Sequence, residues 1–183
     1  SGQFLANFLK NRNHKLFYAP STHSALFIKK NKNYYSYAEL NAAITKHLAS
    51  DCSAVPVLFL DSIDFSGINY PKFESLKTLP LSEIILVVDD SHGIGVVGEN
   101  GNGVFNQVKK LGPKKCFMCS SLGKGFGIQA GAVFGTKEDI EIMENTVFFG
   151  GASPASPAAM PTFLDAESIY KAQRTILRKN LDL

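Results

Sequence analysis

The segment 84–103, IILVVDDSHGIGVVGENGNG, sets two carboxylates and an imidazole, Asp89, Asp90 and His92, directly behind an apolar run. Three chemistries compete for them. A helix cap or solvated turn needs only the carboxylates. A metal would take Asp89 and His92, but no third convergent ligand lies within sequence reach. A third reading recruits Lys124 from SSLGKGFG (120–127), which follows the next strand-like run. A strand-end acid can keep a proton on a pyridine nitrogen, and a lysine amine can condense with an aldehyde. Gly123, Gly125 and Gly127 would give the backbone room to approach a flat ring. Ser120 and Ser121 would offer hydroxyls to a phosphate. Together these are the demands of pyridoxal phosphate, PLP.

Other motifs in the same stretch fail on their own terms. GIGVVG (93–98) has the spacing of a dinucleotide turn, but it runs into ENGNG, which cannot open a helix. Nor does an acid follow about 20 residues later, where Pro113, Lys114 and Lys115 stand. These glycines are expected to let a loop leave the strand tightly. The G-K pair at 123–124 lacks both the earlier glycine and the following Ser or Thr of a phosphate-binding P-loop. Cys116 and Cys119 lie in a strand-like run, where positions three apart face opposite ways, so two inert cysteines are expected rather than a redox pair. Cys52 alone does not complete a zinc site.

The elements that must position these residues alternate. Strand patterns occupy 15–20, 54–62, 84–90, 115–122 and 130–136. Helical patterns occupy 4–11, 36–50, 137–149 and most of 156–181, with shorter ones near 70–80 and 102–112. The segment 24–30 is ambiguous. Ser36 is a candidate N-cap with Glu39 as its capping-box partner, and Leu40, Ile44 and Leu48 share one face. Strands 54–62 and 84–90 are apolar on both faces, as in a parallel sheet covered by helices. The pattern predicts an α/β fold, an open sheet with right-handed crossovers, and ligands outside the carboxyl ends of the strands. One domain over 1–183 is expected.

Composition excludes several classes. With 45% hydrophobic and 19% charged residues and a net charge of +3, the chain reads as a globular protein without a nucleic-acid surface. Its apolar runs are too short for a membrane span. An odd number of cysteines and no signal-peptide pattern predict the cytoplasm. The missing initial Met and the helical pattern cut short at RTILRKNLDL suggest a piece of a longer protein.

VVDDSHGIGVVGENGNG followed by SSLGKGFG resembles the α-oxoamine synthase family of fold-type I PLP enzymes. The family run D-[DE]-[AS]-H-G-x-G-x-x-G-E-x-G-x-G is matched through Gly103, and [TS]-x-[GS]-K-[AG]-[FL]-G from Ser121 to Gly127. The resemblance implies the large domain of these enzymes, a three-layer α/β/α fold around a mainly parallel sheet. It implies that Lys124 binds the cofactor covalently, Asp89 meets the pyridine nitrogen, His92 contacts the phenolic oxygen and Ser121 binds the phosphate. PSTHSALF resembles the motif whose histidine stacks on the ring, here His23. SGQFLAN resembles the phosphate-holding S-G-x-x-A-N, which places Gly2 and Gln3 there. In FFGGASPASP the hydroxyl nearest to the family's partner-reaching phosphate contact is Ser153.

The implied activity is condensation of an amino acid with an acyl-CoA in a homodimer. The family's N-terminal segment and its small C-terminal domain, with the arginine for the amino-acid carboxylate, are expected outside this chain. Three substrate-side runs depart from the family: LDSIDFSGIN (60–69), where Asp61 stands for a glutamate, NYYSYAEL (33–40) and FFGGASPASP (148–157). Two alternatives stand beside this reading: another fold-type I enzyme such as an aminotransferase, and a non-catalytic paralogue acting as a partner subunit.

Overall fold

The computed structural model describes residues 2–10, 12–28, 34–50 and 53–181. Cys52, Asn11, Lys29 and Lys30, which entered the sequence reading, lie outside them. The chain opens with α1 (Gly2–Lys10) and β1 (Lys15–Tyr18), then a 3-10 turn (Ser24–Leu26) and α2 (Tyr37–Leu48). Next come β2 (Pro56–Asp61), 3-10 turns Glu74–Thr78 and Leu81–Glu83, β3 (Ile85–Asp89), α3 (Phe105–Lys109) and β4 (Lys115–Ser121). The remainder is α4 (Leu122–Gly125), β5 (Gly131–Phe134), α5 (Lys137–Glu144), α6 (Val147–Gly150), α7 (Ala159–Asp165) and α8 (Glu167–Leu181).

The five strands form one sheet in the order β1-β2-β3-β4-β5. The first four are parallel and β5 runs antiparallel to β4. The pleat sorts side chains to two faces. Leu58, Leu60, Leu86, Val88 and Met118 pack against Leu40 and Ile44 of α2 and Val108 of α3. Val57, Phe59, Ile85, Val87, Phe117 and Cys119 pack against Leu5 and Leu9 of α1 and Met143 of α5. Every residue of β2 is buried, so its unbroken apolar run is what a sheet covered on both faces requires.

Local chemistry sets the ends of the elements. Ser36 caps α2, its hydroxyl accepting from the Glu39 N–H at 3.2 Å. The Glu39 carboxylate accepts from the N–H of Tyr35 at 2.9 Å, one residue before the position a capping box predicts. The single helix expected over 137–149 is two. Asn145 gives its side-chain amide to the Glu141 carbonyl at 2.8 Å, and Thr146 accepts from the Phe149 N–H at 3.3 Å to start α6. Asn and Thr compete for backbone groups and break the ladder there. The helix expected near 70–80 is a 3-10 turn. Among the described residues no helix is long and apolar enough to cross a membrane.

Candidate functional site

Because β1 to β4 are parallel, their carboxyl ends line one edge of the sheet. The register sets Asp61 of β2 beside Asp89 of β3, and Asp89 beside Cys119 of β4. Past that edge lie His23 after β1, His92 after β3 and Lys124 in α4. The exposed Lys124 amine sits 2.8 Å from Nε2 of half-buried His92. The Phe65 ring meets the His92 ring edge-on at 6.0 Å between centroids.

Asp89 accepts from the Ser91 N–H at 2.9 Å, and the Ser91 hydroxyl accepts from the Ser121 N–H at 2.8 Å. Ser91 thereby ties the ends of β3 and β4 together. Gly2, the first residue of α1, reaches the same carboxylate: a Cβ there would lie 3.7 Å from Asp89 Oδ2 and 2.3 Å from Leu26 Cδ2. Gln3 is exposed, and its carbonyl accepts from the Asn7 side chain at 2.9 Å. His23 is also exposed. Its N–H donates to Asp61 Oδ2 at 2.7 Å, and its Nδ1 accepts from the Ala25 N–H at 3.2 Å. Burial raises the Asp61 carboxyl above its usual range, against the His23 N–H, which lowers it.

Asp90 turns the other way. It is fully buried, accepting from the Ser62 hydroxyl at 2.5 Å and the Val104 N–H at 3.0 Å. Burial pushes its carboxyl up to about 6. A Cβ on Gly93 would lie 2.1 Å from Asp90 Oδ1, and one on Gly103 would lie 1.9 Å from Oδ2. Two of the motif's glycines therefore make room for a carboxylate of the chain itself. Gly125 corrects an expectation. A Cβ there would lie 2.1 Å from the Ile94 carbonyl oxygen, so its bareness admits the 93–103 loop rather than a flat ring. Ser120 also drops out as a phosphate ligand, because it is fully buried.

Ser121 and Ser153 line one cavity of about 610 Å3, with Gly123, Gly131 and Ser156. Smaller space, about 280 Å3, opens beside Lys124 between Gly95, Gly125, Tyr170 and Arg174. Tyr170 fastens α8 there, its hydroxyl donating to the Phe126 carbonyl at 3.0 Å. Nothing in the helical pattern of 167–181 marks Tyr170 or Arg174 as neighbours of the lysine. Cys116 and Cys119 belong to opposite faces, as their spacing predicts. Burial pushes the Cys116 thiol up to about 12 and Cys119 further, so neither supplies a thiolate near neutral pH.

One sheet edge therefore gathers a reachable amine, an imidazole against it and a half-buried carboxylate on the neighbouring strand end, with a hydroxyl-lined cavity beyond. An amine so placed can add to an aldehyde, and such a carboxylate can hold a proton on a ring nitrogen.

The family model of class I and II aminotransferases matches residues 65–182. An 8-amino-7-oxononanoate synthase of Mycolicibacterium vanbaalenii is 28% identical over 144 residues, covering 74% of this chain and 37% of that protein. The enzyme of the same name from Cupriavidus metallidurans is 29% identical over 128 residues, covering 67% of this chain and 31% of its own. Among solved structures, a serine palmitoyltransferase variant from S. paucimobilis with a bound PLP–myriocin adduct superposes with a TM-score of 0.73 at 15% identity, over 98% of this chain and 50% of that one. An 8-amino-7-oxononanoate synthase from Francisella tularensis gives 0.64 at 19%, over 97% and 55%. The chain spans less than two-fifths of these curated relatives and about half of these solved neighbours.

Proposed function

The chain belongs to the aminotransferase class I and II family, and from that premise we propose that it forms the cofactor-binding domain of a PLP-dependent α-oxoamine synthase. The reaction is condensation of an amino acid with an acyl-CoA, as in 8-amino-7-oxononanoate synthase. The whole protein works as a homodimer in the cytoplasm. The observation that carries this reading is the Lys124 amine, exposed and 2.8 Å from His92, one strand end away from Asp89.

The donor set suits the cofactor. Lys124 would bind its aldehyde, Asp89 would pair with the pyridine nitrogen, and His92 would contact the phenolic oxygen. His23 would stack against the ring. Ser121 and Ser153, which line one cavity, and Gly2 and Gln3 at the start of α1 would hold the phosphate. Bound PLP supplies an electron sink for negative charge at the α-carbon of an amino acid. Asp89 keeps the proton on the ring nitrogen that makes this sink effective. Lys124 would serve as the base toward the α-proton. His92 positions the Lys124 amine through the contact at 2.8 Å.

Adding PLP to the full-length protein is expected to produce a visible-edge absorbance band that Lys124→Ala abolishes. A wild-type protein that never develops the band would sink the proposal. The family match favours one further reading, an aminotransferase on the same scaffold. Consumption of acyl-CoA with release of CoA identifies the synthase; formation of a keto acid without it identifies the aminotransferase.

A further inference from the structure

The turn that ends β3 takes a hydrogen bond from the sheet at the edge that carries the site. Asp90 donates its N–H to the Cys119 carbonyl at 2.8 Å, so the parallel ladder between β3 and β4 runs to this point. Evenly spaced parallel bonds would next give the Ser121 N–H to the Asp90 carbonyl. That carbonyl is already engaged: it accepts from the N–H groups of Gly93 at 3.0 Å and Ile94 at 2.9 Å as the chain turns into 93–103. The Ser91 hydroxyl fills the gap, accepting from the Ser121 N–H at 2.8 Å. Ser91 is itself aimed by Asp89, whose Oδ1 accepts its N–H at 2.9 Å. Ser121 is the residue from which α4 starts, its hydroxyl accepting from the Gly123 N–H at 3.3 Å. On the other side the Leu122 N–H donates to the Ala130 carbonyl at 2.9 Å. The four-residue helix that carries Lys124 is thus held at its start by a side-chain acceptor toward β3 and a backbone acceptor toward β5.

We infer that Ser91 is a positioning residue for Lys124: it stands in for a lost backbone acceptor at the start of α4, and so keeps the lysine amine at His92 before the cofactor arrives. The inference rests on the function proposed above. The contacts close on themselves. His92 follows Ser91 in the chain, its Nε2 lies 2.8 Å from the Lys124 amine, and Lys124 stands three residues past Ser121. With the hydroxyl removed, the half-buried Ser121 N–H loses its acceptor, and the end of β4 gains by shifting toward water. A long lysine side chain on a start that shifts samples more positions. An amine already held in place reacts faster than one that must first find its place.

The test uses the full-length protein stripped of PLP, as wild type, Ser91→Ala and Ser91→Thr. Two quantities are read: hydrogen exchange of the 121–124 amides without cofactor, and the rate at which the absorbance band grows once PLP is added. Ser91→Ala is expected to speed exchange in 121–124 and to slow the band about tenfold. Ser91→Thr, which keeps the hydroxyl, is expected to restore both. A wild-type rate in Ser91→Ala, or a slow rate that Ser91→Thr leaves unrestored, overturns the inference while the band itself stays in place. Faster exchange with an unchanged rate makes Ser91 a turn residue only, and overturns it too. Should Ser91→Ala fail to fold, Ser91→Cys, whose sulfur is a poor acceptor, takes its place with the same expected outcomes. A wild type that never develops the band overturns the function itself, and the inference with it.

Discussion

Asp89 and Asp90 are adjacent, identical in chemistry and opposite in use. The pleat sends one toward the sheet edge with Lys124 and the other into a pocket closed by Ser62, Val104 and two bare glycine backbones. An acid without a cation in such a pocket prefers its proton. An unfolded aspartate ionises near pH 4, whereas Asp90 in the fold holds its proton until about 6. Between those values folding takes up a proton, so stability falls as pH rises through the window and is level above it. The loss attributable to Asp90 is on the order of 3 kcal/mol. Urea unfolding of wild type and Asp90→Asn between pH 4 and 7 reads this directly. The wild type is expected to lose ground to the variant as pH rises, because an amide can serve Val104 with its oxygen and Ser62 with its nitrogen. A difference between the two that does not vary with pH would count against the assignment.

At the scale of elements, sequence and structure agree where a pattern is periodic. Strands β2 and β3 were legible because both faces of each are apolar, and α2 because Ser36 precedes Leu40 and Ile44 at helical spacing. The Ser36 cap makes a separate prediction: Ser36→Ala should cost about 1 kcal/mol in denaturant unfolding. No measurable change would mean that α2 is held by packing alone. The break between α5 and α6 was not legible, since Asn145 and Thr146 look like ordinary helix residues until their side chains take backbone partners. The same holds for the choice between the two aspartates, because a one-residue offset decides which face each carboxylate sees. The loop 62–69 was opaque for a further reason. Asp64 binds the backbone N–H groups of Ser66, Ile68 and Asn69, which leave no mark on the residue types around it. Lys124, Asp89 and His92 were legible as a set only because two motifs on successive strands point to one chemistry. Tyr170 and Arg174 reach that edge from a distant helix and had no such signal.

The whole molecule is graded in firmness. Strands β2 and β3 lie inside the sheet, with Leu58, Leu60, Leu86 and Val88 fully buried between two layers. By contrast, α7 and α8 contain no buried residue, and Leu164, Ile169 and Leu181 are 72%, 61% and 73% exposed. Amide protection follows the depth of the unfolding needed to expose a group. Hydrogen exchange is therefore expected to be slowest in 57–60 and 85–88, and far faster in 159–181. Equal protection in the two regions would show that something beyond these contacts covers α7 and α8.

The bare approach of Gly125 to the Ile94 carbonyl reaches further than packing. A Cβ on Gly125 would also lie 3.2 Å from Gly95 Cα, so the loop that follows the two aspartates and the loop that carries the lysine fit as matched halves. Each can be exchanged with that of a relative only together with the other. A chimera that imports 93–103 without 121–127, or the reverse, inherits a mating surface shaped for a different partner. Grafting designs that alter substrate choice on this scaffold should move the pair as one cassette.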